Sequence, residues 1–291
     1  MPGSPYTDLD RPPLNAARLR RALVAPNGPW RRLELTPETA STNADVAEAA
    51  QAGEPEGLVV VAERQSAGRG RRGRNWQSPP RAGIATSVLL RPGEAVPERD
   101  WSPASPTGYG WLPLLAGVAL VEAVSRLAEL DARLKWPNDL LVDDAKCAGV
   151  LVEVVPGGGP SRPSAVVLGV GLNVTLRADE LPENPTGLPA TSLQLAGATA
   201  TDRDPLLRAL LRAVATWYDR WRVAGGDAVG SGLRDAYLAA CGTIGRPVRV
   251  LLPAGDELTG TATGVDADGQ LLVATAQGER RLAAGDVLHL R

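Results

Sequence analysis

The ten residues AGRGRRGRNW, positions 67 to 76, hold four arginines and three glycines. Gly68, Gly70 and Gly73 spell GxGxxG, the spacing that wraps pyrophosphate in dinucleotide-binding folds and ATP in kinases. The surrounding residues reject three familiar uses of it. A dinucleotide fold needs these glycines to open a helix, but NWQSPPRAG follows and Pro79-Pro80 forbids one. A kinase needs its VAIK lysine, HRD and DFG; this chain has no phenylalanine, and its single histidine, His289, lies two residues from the end. A Walker A loop would finish in GK[ST], and this one does not. What remains is a glycine loop whose Arg69, Arg71, Arg72 and Arg74 can close over an anion through charge-assisted hydrogen bonds, or a basic turn that faces water.

The lysines mark further candidates. Of 31 basic residues two are lysine, Lys135 and Lys146. A chain that uses arginine for surface charge keeps a compact ammonium where a planar guanidinium does not serve. Lys135 sits in KWPNDLL beside Trp136, Asn138 and Asp139, and Lys146 in AKCAGVLVEV, three residues before Gly149. A third stretch, GVGLNV, places Gly169, Gly171 and Asn173 on a strand. Each feature also has a structural reading: Trp136 as core, Pro137 as a turn former, Asp139 as a cap, the glycines as packing positions.

The elements that must position these groups follow from pattern. RRLEL is strand-like; STNADVAEAAQAG is a helix that Ser41 or Thr42 caps and Gly53 ends. GLVVVAERQ and GIATSVLL flank the arginine loop as strands, and residues 111 to 130 form a buried helix, interrupted by Pro113 and short for a bilayer. DLLVDDAKCAGVLVEVV reads as two strands about an Asp143-Asp144 turn, and SAVVLGVGLNVT as a third. TDRDPLLRALLRAVATWYDRWRVAGG is a helix with Pro205 in its first turn and Gly225 past its end, and GLRDAYLAAC is a shorter one. From about Thr243, short alternating runs punctuated by Asp268-Gly269 and Gly278 suggest a small β-barrel of hairpins. The expected division is a loosely ordered tail over 1–29 with one short amphipathic stretch, LNAARLRRALVA, a main domain over 30–241 and the barrel over 242–291.

Composition narrows the function. With 291 residues, 44% of them hydrophobic, and a net charge of −2, the arginine loop is a local feature of a near-neutral protein, which favours a small anion over nucleic acid. The N-terminal residues lack the apolar run of a signal peptide. Cys147 and Cys241 form no CxxC and suit a reducing cytoplasm, and one terminal histidine argues against a zinc site or a His-based triad.

The stretches STN (Ser41 to Asn43), AERQSAGRGRRGRNW, LKWPNDLL, KCAGVLVEV and VLGVGLNV, in this order, resemble biotin protein ligases over roughly residues 30 to 291. The resemblance implies an α+β catalytic domain like the class II aminoacyl-tRNA synthetase core, with a mixed sheet, followed by an SH3-like barrel. It implies a two-step reaction: biotin and ATP with Mg²⁺ give biotinyl-5′-AMP and pyrophosphate, then a lysine of a biotin carboxyl carrier domain of acyl-CoA or pyruvate carboxylases takes the biotinyl group. On this resemblance, Lys146 and Arg69 are catalytic cations, and Asp139 deprotonates the acceptor lysine. Biotin is held by Ser41, Thr42, Asn43, Gln65, Arg69, Gly70, Arg71, Lys146 and Gly149. The nucleotide falls to Arg71, Arg72, Arg74, Trp76, Lys135, Asn138 and Asn173, with no side-chain metal ligand assigned. The short tail implies ligase activity without a DNA-binding domain, in a cytoplasmic monomer or weak homodimer without nucleic-acid or membrane partners. The proline-rich stretch over 176–193 holds the place of the adenylate-side loop but has no aromatic residue for adenine. A lipoate ligase, a vitamin-binding module and a DNA-bound regulator are the rival readings.

Overall fold

The computed structural model describes residues 11–25, 28–157, 163–182, 188–252 and 255–290. The chain runs through α1 (Ala16–Leu23), β1 (Arg32–Thr36), α2 (Thr42–Gln51), β2 (Leu58–Ala62), β3 (Gly83–Leu90), α3 (Trp111–Leu127), β4 (Ala132–Lys135), β5 (Asp139–Val142), β6 (Ala145–Val155), β7 (Ala165–Asn173), α4 (Arg203–Val223) and α5 (Leu233–Ala240). Its first seven strands form one mixed sheet in the order β1-β2-β3-β7-β6-β5-β4, with β1 and β2 parallel and the other neighbours antiparallel. The Asp143-Asp144 turn forms as expected, both residues left-handed at φ 51° and 59°, which matches the twist of the β5–β6 hairpin. The four-residue β4 is too short to carry a pattern and was not anticipated.

Alternation along the strands sorts the side chains onto two faces. On β7, Val166, Leu168, Val170 and Leu172 enter the main core with α3 and α4, while Val167 joins Val46 and Ala50 of α2 in a second, smaller core. Gly169, Gly171 and Asn173 continue that second face past the end of α2, where the sheet is left open for a ligand. Pairing across it aligns Asp139, Gly149, Gly171, Ala85 and Ala62 in one transverse row over β5, β6, β7, β3 and β2. Small side chains make that row a trough.

The expectation of a loose tail over 1–29 is corrected from Arg11 onward; residues 1–10 lie outside the described ones. Leu19 and Leu23 give α1 one apolar face, and both are buried where the helix packs on β1 and α4. Trp30 donates its indole N–H to the Leu211 carbonyl at 3.1 Å. Apolar spacing, more than the mixed charge, decided the state of this segment.

The C-terminal residues form a second sheet from β8 (Pro247–Leu251), β9 (Glu257–Val265), β10 (Leu271–Thr275), β11 (Gly278–Leu282) and β12 (Asp286–His289). It is wholly antiparallel, in the order β11-β10-β9-β8-β12, around Val248, Val250, Ala262, Val265, Leu271 and Val273. Two tryptophans stitch it to the first domain: Trp111 donates to the Ala267 carbonyl at 2.7 Å and Trp136 to that of Gly269 at 3.2 Å. The Trp136 backbone N–H donates to Thr243 Oγ1, which also lies 3.0 Å from His289 Nε2, while Arg246 lies 3.4 Å from His289 Nδ1. A guanidinium can only donate, so Nδ1 accepts, Nε2 carries the proton and the ring is neutral.

Burial, then the charges of Lys135 and Arg246, push the His289 pKa from 6.5 down to about 4. A depressed value means that protonation favours unfolding: the contribution is complete above 6.5 and fades as pH falls toward about 4. Because His289 is the one histidine in the chain, denaturant unfolding across that window should show a decline in stability with acidity that His289→Gln flattens. An identical slope in the variant would contradict this assignment.

Candidate active site

A cavity of about 460 Å³ opens on the uncovered face, between the start of α2, the arginine loop and the glycine positions of β6 and β7. At the α2 end, Ser41 occupies the N-cap position but makes no capping bond, contrary to expectation. Gln65 supplies it instead: its Oε1 accepts from the Thr42 N–H at 2.8 Å and from Thr42 Oγ1 at 3.1 Å. The helix end is thereby satisfied by a residue from another element, and the Ser41 hydroxyl is left to the cavity wall. Asn43 is fixed on both ends of its amide, donating to Glu153 Oε2 at 2.6 Å and accepting from Ser87 Oγ at 2.6 Å. Its Oδ1 fills the space where a Cβ on residue 169 would stand, which is why Gly169 is glycine.

The arginine loop is a small hairpin. Gly70 N–H donates to the Arg74 carbonyl at 2.6 Å and Trp76 N–H to that of Gly68 at 2.8 Å, with Arg72 (φ 55°) and Gly73 (φ 72°) turning the tip. A Cβ at Gly68 would meet the Trp76 carbonyl and come within 2.8 Å of Gln65 Nε2, so the glycine lets the loop lie against the α2 cap. Each guanidinium has a polar partner. Arg69 pairs with Glu153 at 3.4 Å, Arg71 donates to Asn138 Oδ1 at 3.1 Å, and Arg72 and Arg74 reach the two oxygens of Asp286 on β12 at 2.9 and 3.0 Å. Burial lowers the Arg71 pKa although Asp286 and Asp139 oppose it. For Asp286, burial works upward, but the charge of Arg74 and the bond from Arg72 outweigh it and hold the carboxyl below its usual 3.8.

Lys146 and Gly149 are three residues apart, an interval that places strand residues on opposite faces. The β5–β6 register skips Cys147, and this bulge brings both to the cavity wall, with Lys146 Nζ 3.4 Å from where a Gly149 Cβ would be. The Lys146 ammonium is 2.6 Å from Asp139 Oδ1, and that of Lys135 is 3.9 Å from Oδ2. Burial lowers the Lys135 pKa against the pull of Asp139. The Trp76 indole lies directly on Gly171, where a Cβ would collide with it, and Lys146 Nζ sits 5.9 Å from its ring centroid. Cys147 points into the core, its thiol pushed up to about 12 by burial, so it is inert beside the site.

Of the residues named from sequence, Ser41, Thr42, Asn43, Gln65, Arg69, Gly70, Arg71, Arg74, Trp76, Asn138, Lys146, Gly149 and Asn173 all line this one cavity. Arg72, Lys135 and Asp139 are absent from its lining residues. Arg72 turns outward to Asp286 because its left-handed backbone aims it there, and Asp139 lies behind Lys146, committed to two ammonium groups. Its position fits orienting Lys146 better than receiving an acceptor's proton. Asn173 donates to the Thr191 carbonyl at 2.9 Å and so holds the chain that borders the cavity. Within the stretch over 176–193, residues 183–187 lie outside the described ones. Glu153, Ser87 and Asp286 were missed; the paired polar residues Thr86 and Ser87 inside an apolar strand were the available signal for one of them.

The profile of the Biotin/lipoate A/B protein ligase family matches residues 35–173, and that of the Biotin protein ligase C terminal domain matches 243–290. The biotin–[acetyl-CoA-carboxylase] ligase of Mycobacterium tuberculosis is 40% identical over 291 residues, spanning 98% of this chain and 100% of its own. The bifunctional ligase/repressor BirA of Escherichia coli is 33% identical over 75% of this chain and 61% of its own length. Among solved structures, the biotin protein ligase from Aquifex aeolicus in complex with biotin and ATP superposes with a TM-score of 0.69 at 26% identity, covering 90% of this chain and 100% of that one. The chain belongs to the biotin protein ligase family.

Removing the Asp286 carboxylate releases Arg72 and Arg74 together. Asp286→Ala should therefore speed trypsin cleavage within residues 69–74 several-fold, roughly the effect of losing about 1 kcal/mol of local ordering, while the global unfolding midpoint moves little. Unchanged cleavage would show that the hairpin holds its shape without the C-terminal domain.

Proposed function

We propose that this protein joins biotin to a lysine of a carboxylase carrier domain through biotinyl-5′-AMP. The observation that carries the reading is the set of chemistries gathered on one cavity wall. Neutral hydrogen-bonding groups (Ser41, Thr42, Gln65), side-chain-free backbone (Gly149, Gly171) and cations (Lys146, Arg69, Arg71) all line it. Biotin asks for the same three: a ureido ring needing neutral donors and acceptors, an apolar tail, and a carboxylate.

In the first step a carboxylate oxygen attacks the α-phosphorus of ATP, the bond to the β-phosphate breaks, and pyrophosphate leaves. Two anions must approach, and Lys146 with the loop arginines stabilises the charge that builds on the oxygens between them. Asp139 fixes the Lys146 ammonium without entering the cavity. Arg71 and Arg74 face the phosphates, and Trp76 forms a flat wall for the adenylate. Mg²⁺ entering with the nucleotide would shield the charge of its phosphates; among the described residues no group of three or more His, Cys, Asp or Glu is gathered. In the second step the acceptor lysine, as free amine, attacks the acyl carbon and AMP departs. Closure of the loop shields the mixed anhydride from water.

Purified protein with Mg²⁺ should catalyse biotin-dependent exchange of pyrophosphate into ATP, and lipoate in parallel should give none. Lys146→Ala should reduce exchange about 10²- to 10³-fold, the usual loss for one preorganised charge. Exchange with lipoate instead would move the assignment to the other branch of the matched family. For Asp139→Asn the prediction is a similar loss in adenylation and in transfer, since it acts through Lys146; a loss confined to transfer would restore it as the base.

A further inference from the structure

Residues 11–14 precede both matched stretches of sequence, yet they reach behind the cavity on both sides. On one side the Arg11 guanidinium, its side chain 4% exposed, donates to the Thr175 carbonyl at 2.7 Å and grips the Glu180 carboxylate with both terminal nitrogens, at 3.0 and 2.5 Å. Thr175 follows Asn173 by two residues, and Glu180 precedes Pro182 by two; Asn173 and Pro182 line the cavity. On the other side the Leu14 N–H donates to Glu63 Oε1 at 2.6 Å. Arg203 joins the two strands of this anchor, reaching Glu63 Oε2 at 2.6 Å and the Pro12 carbonyl at 2.7 Å. Glu63 precedes Gln65 by two residues, and Gln65 caps α2 from the cavity wall.

We propose that Arg11 to Leu14 form a clamp that sets the spacing between the Gln65 rim and the Asn173–Pro182 rim, making Arg11 a positioning residue for substrate binding. Three peptide steps reach about 11 Å at full extension, so a segment anchored at both ends has little slack to let the rims drift. Arginine suits the task where lysine does not, because its planar fork serves a carboxylate in two places and a carbonyl besides. Glu180 responds as a clamped group should: its carboxyl is held below the usual range by the bond from Arg11. The functional expression of the clamp rests on the ligase reading above and on the resemblance that puts the stretch over 176–193 on the adenylate side.

The test compares wild type with Arg11→Met, Arg11→Lys and Trp30→Phe in biotin-dependent pyrophosphate exchange, and follows amide hydrogen exchange over 175–182. Trp30→Phe removes a buried bond from the same N-terminal segment without touching either rim. Arg11→Met should raise the KM for ATP about tenfold with kcat within about twofold, Arg11→Lys should fall between, and Trp30→Phe should lower the melting temperature without moving KM. Amides over 175–182 should exchange faster in Arg11→Met. An unchanged KM in folded Arg11→Met, or a fall in kcat alone, overturns the clamp. Should Arg11→Met fail to fold, Glu180→Gln replaces it under the same criteria. If wild type shows no exchange with biotin, the ligase reading fails instead, and the clamp stands or falls on the amides: unchanged protection over 175–182 overturns it.

Discussion

Cations that bind an anion must first be held beside one another, and the rest of this structure depends on how that repulsion is contained. Arg69, Arg71, Arg74 and Lys146 line one cavity, and among the described residues of its wall none is acidic. Two unit charges about 6 Å apart repel by roughly 3 kcal/mol at an effective dielectric near 20. Glu153, Asp139 and Asp286 offset this from behind the wall, each touching a different member of the set. The cavity stays positive toward a ligand while the surrounding charge remains close to balanced. Since the three carboxylates come from β6, β5 and β12, the site is complete only when both sheets are folded and docked.

The backbone meets this demand by simple devices. A register skip at Cys147 turns Lys146 and Gly149 to one side, and a row of small residues, Gly149, Gly171, Ala85 and Ala62, crosses four strands of a sheet that α2 covers elsewhere. Glycines 68, 169 and 171 stand where a side chain would strike Trp76, Gln65 or Asn43. They serve close approach of other groups; the φ values that single out a glycine occur elsewhere, at Gly73 in the loop, at helix ends such as Gly53 and Gly225, and in turns such as Gly269 and Gly278.

Residue spacing made much of this legible. The Asp143-Asp144 hairpin, the long α4 with its bounding Pro205 and Gly225, and the face shared by Gly169, Gly171 and Asn173 are local patterns, and local patterns survive in a sequence. Contacts between distant residues do not. Asp286 meets Arg72 from 214 residues away, and nothing in AGDVLHLR marks its aspartate as the anchor of an arginine loop. Gln65 reads as a polar residue after a strand, whereas its capping of α2 exists only because β2 delivers it beside Thr42. The amphipathic stretch LNAARLRRALVA was visible in the N-terminal residues, but which surface its apolar face meets was not: Leu19 and Leu23 are buried where α1 packs on β1 and α4.

The claim at the centre is that these cations bring a carboxylate oxygen onto the α-phosphorus of ATP. Following ¹⁸O from labelled biotin carboxylate through one turnover with an acceptor carrier domain tests it directly. One ¹⁸O should appear in AMP and none in pyrophosphate; ¹⁸O in inorganic phosphate with ADP as co-product would mean attack at the terminal phosphorus and would rule out this role of the cations.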